Sequence, residues 1–304
     1  MLGLRKRAKF IASGTAQVSY LMRNGTQLRG LDTARDQAAS VLAGGASSAQ
    51  PKGQMKAGGA SHAILKWSAG DGGPLFLEKI TDNQFEFDLC KSIAGQQILH
   101  GPKVLGAVSY RTRFHIFLEL VQGTPQPFHS PEYPIFELVK VSHQFGISIS
   151  NAAPETYKPR QQCYRYLTSP WARKELLSRH VDLAELDKAL SETQSLPQHL
   201  HHNDLFYENA LLDAGAITLI DYGNVTRTHL GGELRHLAFN GVKDPAKMHL
   251  FETSVGHLSA LTQQSAKALR TSALIQSAER MIERSINKVS PKFLDHSAAQ
   301  IRAI

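Results

Sequence analysis

Between His202 and Gly223 the chain sets a histidine, two carboxylates and an amide at spacings that could move a phosphoryl group. The run is His202-Asn203-Asp204-Leu205-Phe206-Tyr207-Glu208-Asn209, then Ala210-Leu211-Leu212, a turn at Asp213-Ala214-Gly215, and Ile217-Thr218-Leu219-Ile220-Asp221-Tyr222-Gly223. Phosphoryl transfer needs a carboxylate that orients an attacking hydroxyl and accepts its proton. It also needs hard oxygen ligands for a metal ion that neutralises polyphosphate oxygens. Asp204 suits the first task. Asn209 and Asp221 offer an amide and a carboxylate oxygen of the kind Mg²⁺ prefers, and the strand-turn-strand pattern puts them on adjacent arms of one hairpin. A β-hairpin with incidental polar ends rarely combines all of these positions. His199 and His201 alternate on the preceding strand without a matching Cys, His or Asp triad at ligand spacing, so no metal site is expected of them. They are expected to be partly exposed, with His202 packing and hydrogen bonding to shape the loop.

The rest of the chain has to position these groups. Its 304 residues, 42% hydrophobic and 20% charged, give ordinary globular composition and length for one large domain or two small lobes. The two cysteines, Cys90 and Cys163, form no CxxC spacing, which excludes a thiolate metal site and fits a reducing cytosol. A formal net charge of +8 favours anionic partners such as nucleotides, phosphorylated sugars or membrane surfaces. No zinc-finger or aromatic-basic motif argues for nucleic acid. Met1 to Ala12 is basic but lacks the apolar stretch of a signal peptide, and no apolar run reaches spanning length, so a soluble, cytoplasmic protein is expected, with peripheral membrane contact left open.

From Ser19 to Lys66 the chain is rich in Gly, Ser, Ala and Gln, punctuated by Gly44-Gly45 and Gly58-Gly59, and strand content is expected from His62 onward. His62–Trp67 and Leu75–Ile80 flank a Gly-rich turn as a hairpin that ends near Lys79. Asp82 to Ala94 reads as an amphipathic helix on Phe85, Leu89 and Ile93, with Thr81 and Asp82 as capping candidates. Lys103–Ser109 and Phe114–Val121 read as strands. Beyond Pro134 the periodicity is helical over Ile135–Phe145, Tyr164–Arg179, Leu183–Thr193, Pro245–Gln264 and Ala266–Asn287, interrupted by the β island Leu200–Val225. The expected architecture is α+β, with a β-rich lobe over 1–122 and a helical lobe over 123–304 that carries the catalytic and metal-binding loops.

Across roughly Gly58 to Ala238 these parts, in this order, resemble the aminoglycoside phosphotransferase and choline kinase superfamily, the small-molecule branch of the protein-kinase-like fold. The resemblance implies an ATP- and Mg²⁺-dependent phosphotransferase acting on a hydroxyl of an amino-alcohol, amino sugar or sugar, with Asp204 catalytic and Asn209 and Asp221 on the metal. It further implies that Lys79 is the third-strand lysine that pairs with nucleotide phosphates and that Glu86 is its helix partner, at a shorter gap than the family usually shows. Gly58 and Gly59 stand where a phosphate-covering loop is placed, and Glu119 to Val121 where backbone groups bind adenine. The His202-Asn203-Asp204 spelling is similar to choline and ethanolamine kinases, whereas antibiotic kinases more often have Gly in the middle. Where the family has an Asp before Leu-Ala that braces the catalytic loop, this chain has His236, with Glu233 and Arg235 as substitutes. Kinases of lipopolysaccharide core sugars or of proteins share the arrangement, although no Ala-Pro-Glu segment follows Gly223. A non-catalytic nucleotide-binding pseudokinase is the remaining alternative.

Overall fold

The computed structural model describes residues 29–55, 61–125, 134–155, 157–158, 164–205, 207–238, 248–287 and 289–304. They fall into two compact units, Met1–Gln97 with Pro102–Val121, and Ile98–Gly101 with Gln122–Ile304.

The first unit is an antiparallel sheet in the order β1-β2-β3-β5-β4: β1 (Ala49–Met55), β2 (Ser61–Ala69), β3 (Leu75–Thr81), β4 (Val104–Tyr110) and β5 (Arg113–Glu119). Two helices accompany it, α1 (Arg29–Ala43) and α2 (Gln84–Ser92). Both α1 and β1 lie in the Gly-, Ser-, Ala- and Gln-rich tract ahead of His62, where strand content is expected to begin. The helix buries Leu31, Ala38 and Ala39 against alternate β2 residues Ala63, Leu65, Trp67 and Ala69. Its apolar face is mostly alanine, a strong helix former that gives a weak hydrophobic signal. Strand β1 is exposed along nearly all its length, so it shows no apolar alternation.

Successive strand residues face opposite sides of a sheet, and β3 uses this at Glu78 and Lys79. Glu78 is fully buried and accepts hydrogen bonds from Arg35 Nε of α1 at 2.9 Å and from His115 of β5 at 2.7 Å. The Arg35 guanidinium lies 4.5 Å from the centre of the Trp67 ring. Removing one partner of a buried ion pair strands the other, so Glu78→Ala is expected to lower stability by about 3–5 kcal/mol in denaturant unfolding. Burial alone would push the Glu78 carboxyl up, but the His115 hydrogen bond and the Arg35 charge outweigh it and hold it below its ordinary 4.5. A carboxyl depressed in the folded state adds stability above its unfolded value, and that contribution is lost as pH falls through the folded one. The stability gap between wild type and Glu78→Gln is therefore expected to shrink on acidification below the ordinary carboxylate range. A gap independent of pH would contradict the pairing.

Helix α2 begins later than the capping candidates indicate. Its N-cap is Asn83, whose side chain accepts from Glu86 N, because Thr81 still belongs to β3 and its hydroxyl accepts from Asn83 N. Its buried face comprises Glu86, Phe87, Leu89 and Cys90, while Phe85, expected inside, is exposed.

The second unit is mainly helical: α3 (Ile135–Ala152), α4 (Pro170–Ser178), α5 (Leu183–Thr193), α6 (Met248–Thr262), α7 (Ala266–Ile286) and α8 (Pro291–Ala303). Helix α3 runs through Gly146, where sequence reading ends it; an added Cβ there would stand 2.7 Å from Leu200 O, so the glycine permits close approach to the next strand. The expected helix over Tyr164–Arg179 is split, because Pro170 opens α4 after a 3₁₀ turn at Tyr164–Thr168. Helix α8, not anticipated, packs Leu294, Ala298 and Ile301 with Leu274, Ala278 and Met281 of α7. Short strands complete the unit. Strand β6 (Thr124–Pro125) joins β8 (Ala210–Asp213) and β9 (Ala216–Leu219), and β7 (Gln198–His201) pairs with β10 (Thr226–His229). No described helix is long and apolar enough to cross a membrane.

Candidate active site

Strand β7 delivers His202 to Asp204 onto a loop tied to the strand before Asp221. The fully buried His202 donates from Nε2 to Ile220 O at 2.7 Å, and Ile220 N donates to Asn209 O at 2.9 Å. Phe145 of α3 packs against both segments, edge-on to His202 and stacked on Tyr222. Gly101 passes so close that a Cβ would stand 2.6 Å from the Tyr222 hydroxyl.

Asp204 is held from two directions. Asn209 Nδ2 donates to its Oδ2 and to its backbone oxygen, each at 3.0 Å, and Asn224 Nδ2 donates to Oδ2 at 3.1 Å. Asn224 was not singled out from the sequence; its place one residue beyond Asp221-Tyr222-Gly223 was the available signal. Asp221 has a left-handed backbone, φ 70°, rare for a residue other than glycine, and its Oδ1 accepts from Gly223 N at 3.0 Å. Asn209 spends its Nδ2 on Asp204, which leaves its amide oxygen as the ligand end of that side chain. Together with the Asp221 carboxylate this donor set is all oxygen, as a hard cation wants. Among the described residues no group of three or more His, Cys, Asp or Glu could hold a metal, so the side chains offered to an ion here are Asn209 and Asp221.

The loop is braced from the segment after β10. His236 Nε2 donates to Asn203 O at 3.0 Å and lies 4.0 Å from Asp204 Oδ1, and Arg235 Nη2 donates to Asn203 O at 3.3 Å. Burial, then the adjacent Arg235 charge, hold His236 well below the usual imidazole range, so it braces the loop as a neutral donor. Asn203 itself has φ 55°. Glu233 is buried against His201 Nδ1 at 3.3 Å and accepts from Ser142 Oγ. All three brace candidates thus touch this region, and His201 is buried with its glutamate rather than partly exposed. His199 is half-buried.

In the first unit, Lys79 Nζ lies 2.5 Å from Glu86 Oε1, and the two residues are 7% and 2% exposed. Lys79 is on the central strand of the sheet, where a lysine without an anionic partner would be costly to bury. Strand β1 makes β3 the third strand in chain order. Glu119 closes β5, its backbone N donating to Lys103 O at 3.0 Å, and Val121 is half-buried beyond it. Gly58 and Gly59 lie outside the described residues.

A five-stranded antiparallel unit with a strand lysine paired to a helix glutamate, and a helical unit whose β7 loop carries Asp204 and whose β8–β9 hairpin is flanked by Asn209 and Asp221, is the protein-kinase-like fold. Solved structures share it. The chain aligns with a thermostable mutant of aminoglycoside phosphotransferase APH(4)-Ia in ternary complex with AMP-PNP and hygromycin B, at 17% identity and TM-score 0.54 over 84% of this chain and 92% of that one. It aligns with choline kinase from Cryptosporidium parvum at 16% identity and TM-score 0.56, covering 84% and 87%. It also aligns with amicoumacin kinase hAmiN, in complex with AMP-PNP, Ca²⁺ and Ami, at 12% identity and TM-score 0.57, covering 83% and 88%. No protein-family model matches the chain, and no match occurs among curated proteins.

Proposed function

We propose that this chain is an ATP- and Mg²⁺-dependent phosphotransferase that acts on a hydroxyl of a small molecule. The observation that carries the reading is the Asp204 carboxylate, fixed by Asn209, which leads into the β8–β9 hairpin, and by Asn224, which follows Asp221 beyond it. Asp204 takes the acceptor's proton as the acceptor oxygen bonds the γ-phosphorus and the bond from that phosphorus to the departing ADP oxygen breaks. Asn209 and Asp221 would hold the metal. Bound there, that ion would neutralise charge on the phosphate oxygens. Lys79, oriented by Glu86, takes a nucleotide phosphate oxygen, and the backbone from Glu119 to Val121 takes the adenine. Complexes of similarly folded proteins with AMP-PNP, with hygromycin B and with Ami support nucleotide and small-molecule acceptor alike.

The test is ADP release by the full-length chain with ATP and Mg²⁺ across alcohol, amino-alcohol, sugar and aminoglycoside acceptors. Lys79→Ala is expected to raise the KM for ATP by about tenfold or more, the worth of a charge-assisted hydrogen bond, with less effect on the KM of the acceptor. An unchanged ATP KM would remove Lys79 from the phosphate site.

A further inference from the structure

The turn after Asp221 aims a second amide at the proposed base. Tyr222–Asn224 form a 3₁₀ turn, capped by Asp221 Oδ1 on Gly223 N and closed by Val225 N, which donates to Tyr222 O. Thr226 Oγ1 donates to Asn224 O at 2.8 Å, and the register of β10 with β7, Thr226 opposite His201, carries Asn224 alongside the loop that bears Asp204. There Asn224 Nδ2 reaches Asp204 Oδ2 at 3.1 Å, beside Asn209 Nδ2 at 3.0 Å. A carboxylate only accepts, so both amides present nitrogen, and each carboxylate oxygen offers about two acceptor positions. Oδ2 is therefore filled. Among the described residues no hydrogen bond reaches Oδ1: His236 Nε2 stands 4.0 Å away and donates to Asn203 O instead. The Asp204 side chain remains 23% exposed.

We infer that Asn224 is a positioning residue for proton transfer: with Asn209 it fills Oδ2 and leaves Oδ1 as the oxygen that takes the acceptor's proton. This rests on the phosphotransferase reading above. The torsion that turns a carboxylate about its stem is broad, and one donor leaves it loosely set. Two donors arriving from different segments fix its plane. The acceptor hydroxyl then meets Oδ1 and gives it the proton as the acceptor oxygen bonds the γ-phosphorus and the bond to the departing ADP oxygen breaks. The two amides differ in one respect. Asn209 also offers its oxygen to the metal, whereas Asn224 comes in from beyond Asp221 and serves the base alone.

The experiment measures ADP release by the full-length chain, by its Asn224→Ala and Asp204→Asn variants and by the double variant. ATP and Mg²⁺ are supplied with whichever of choline, ethanolamine, glucose and hygromycin B the wild type uses best. Asn224→Ala is expected to lower kcat by about tenfold, the worth of one hydrogen bond to a charged group, with the KM for ATP and the Mg²⁺ requirement unchanged. In the Asp204→Asn background the same substitution is expected to change turnover by less than about twofold, because no base remains to be aimed. Thermal melting records folding; should the alanine variant not fold, Asn224→Asp, equal in size but without the donor, is put through the same comparison with the same expectation. A wild-type kcat in the variant, or an equal loss in both backgrounds, overturns the positioning role and leaves the kinase reading standing. No ADP release by the wild type with any of the four acceptors overturns both.

Discussion

Asp204→Asn is expected to lower turnover by about 100- to 10,000-fold, the range that a positioned general base contributes, with nucleotide binding retained. The substitution keeps size and shape. Its amide oxygen can still accept from Asn209 and Asn224, which now meet at Asp204 Oδ2. The loop should therefore hold, because its remaining ties, His202 to Ile220 O and His236 to Asn203 O, do not involve the changed atoms. What disappears is the ability to take a proton from the acceptor. ADP release with the best acceptor, together with thermal stabilisation by ATP and Mg²⁺, checks both halves. Turnover at the wild-type rate would remove Asp204 from the chemistry, and loss of nucleotide binding alongside turnover would indicate a structural role instead.

Asp221→Ala is expected to erase the gain in nucleotide affinity that Mg²⁺ confers, by at least the roughly 10- to 100-fold that even a supporting partner of a metal ligand is worth. Two effects have to be separated, because Asp221 also has φ 70° and caps Gly223 N. Asn tolerates that backbone region and can still accept from Gly223 N, so Asp221→Asn removes the charge while keeping the local geometry. Nucleotide titrations with and without Mg²⁺ should place Asp221→Asn with Asp221→Ala if the carboxylate binds the ion. If only the alanine variant loses the Mg²⁺ effect, the backbone, and not the charge, is what matters there.

The candidate site is legible in the sequence because its residues are local: β8 and β9 pair across a short turn, and Asn209 and Asp221 flank that hairpin. The pairing of Lys79 with Glu86 is nearly as local, within one strand and the helix that follows. The residues that hold Asp204 in place are less so. Arg235 and His236 reach Asn203 across more than thirty positions of chain, and a polar contact of that span leaves no periodic trace. His201, expected to be partly exposed, is buried for the same reason, since it and Glu233 are buried against each other. Helix α1 escaped notice because its sheet-facing side carries alanines and Arg35, whose burial depends on Glu78 of a later strand. Conversely, the exposure of Phe85 and burial of Glu86 break the amphipathic pattern of α2 where the glutamate meets Lys79.

The backbone at Asn203 bears on how the middle letter of the His-Asn-Asp signature is to be understood. With φ 55° that position admits glycine or asparagine and penalises nearly everything else. Asparagine and glycine are thus two answers to one torsional demand at this position, so the letter tells of loop shape and is silent on any acceptor.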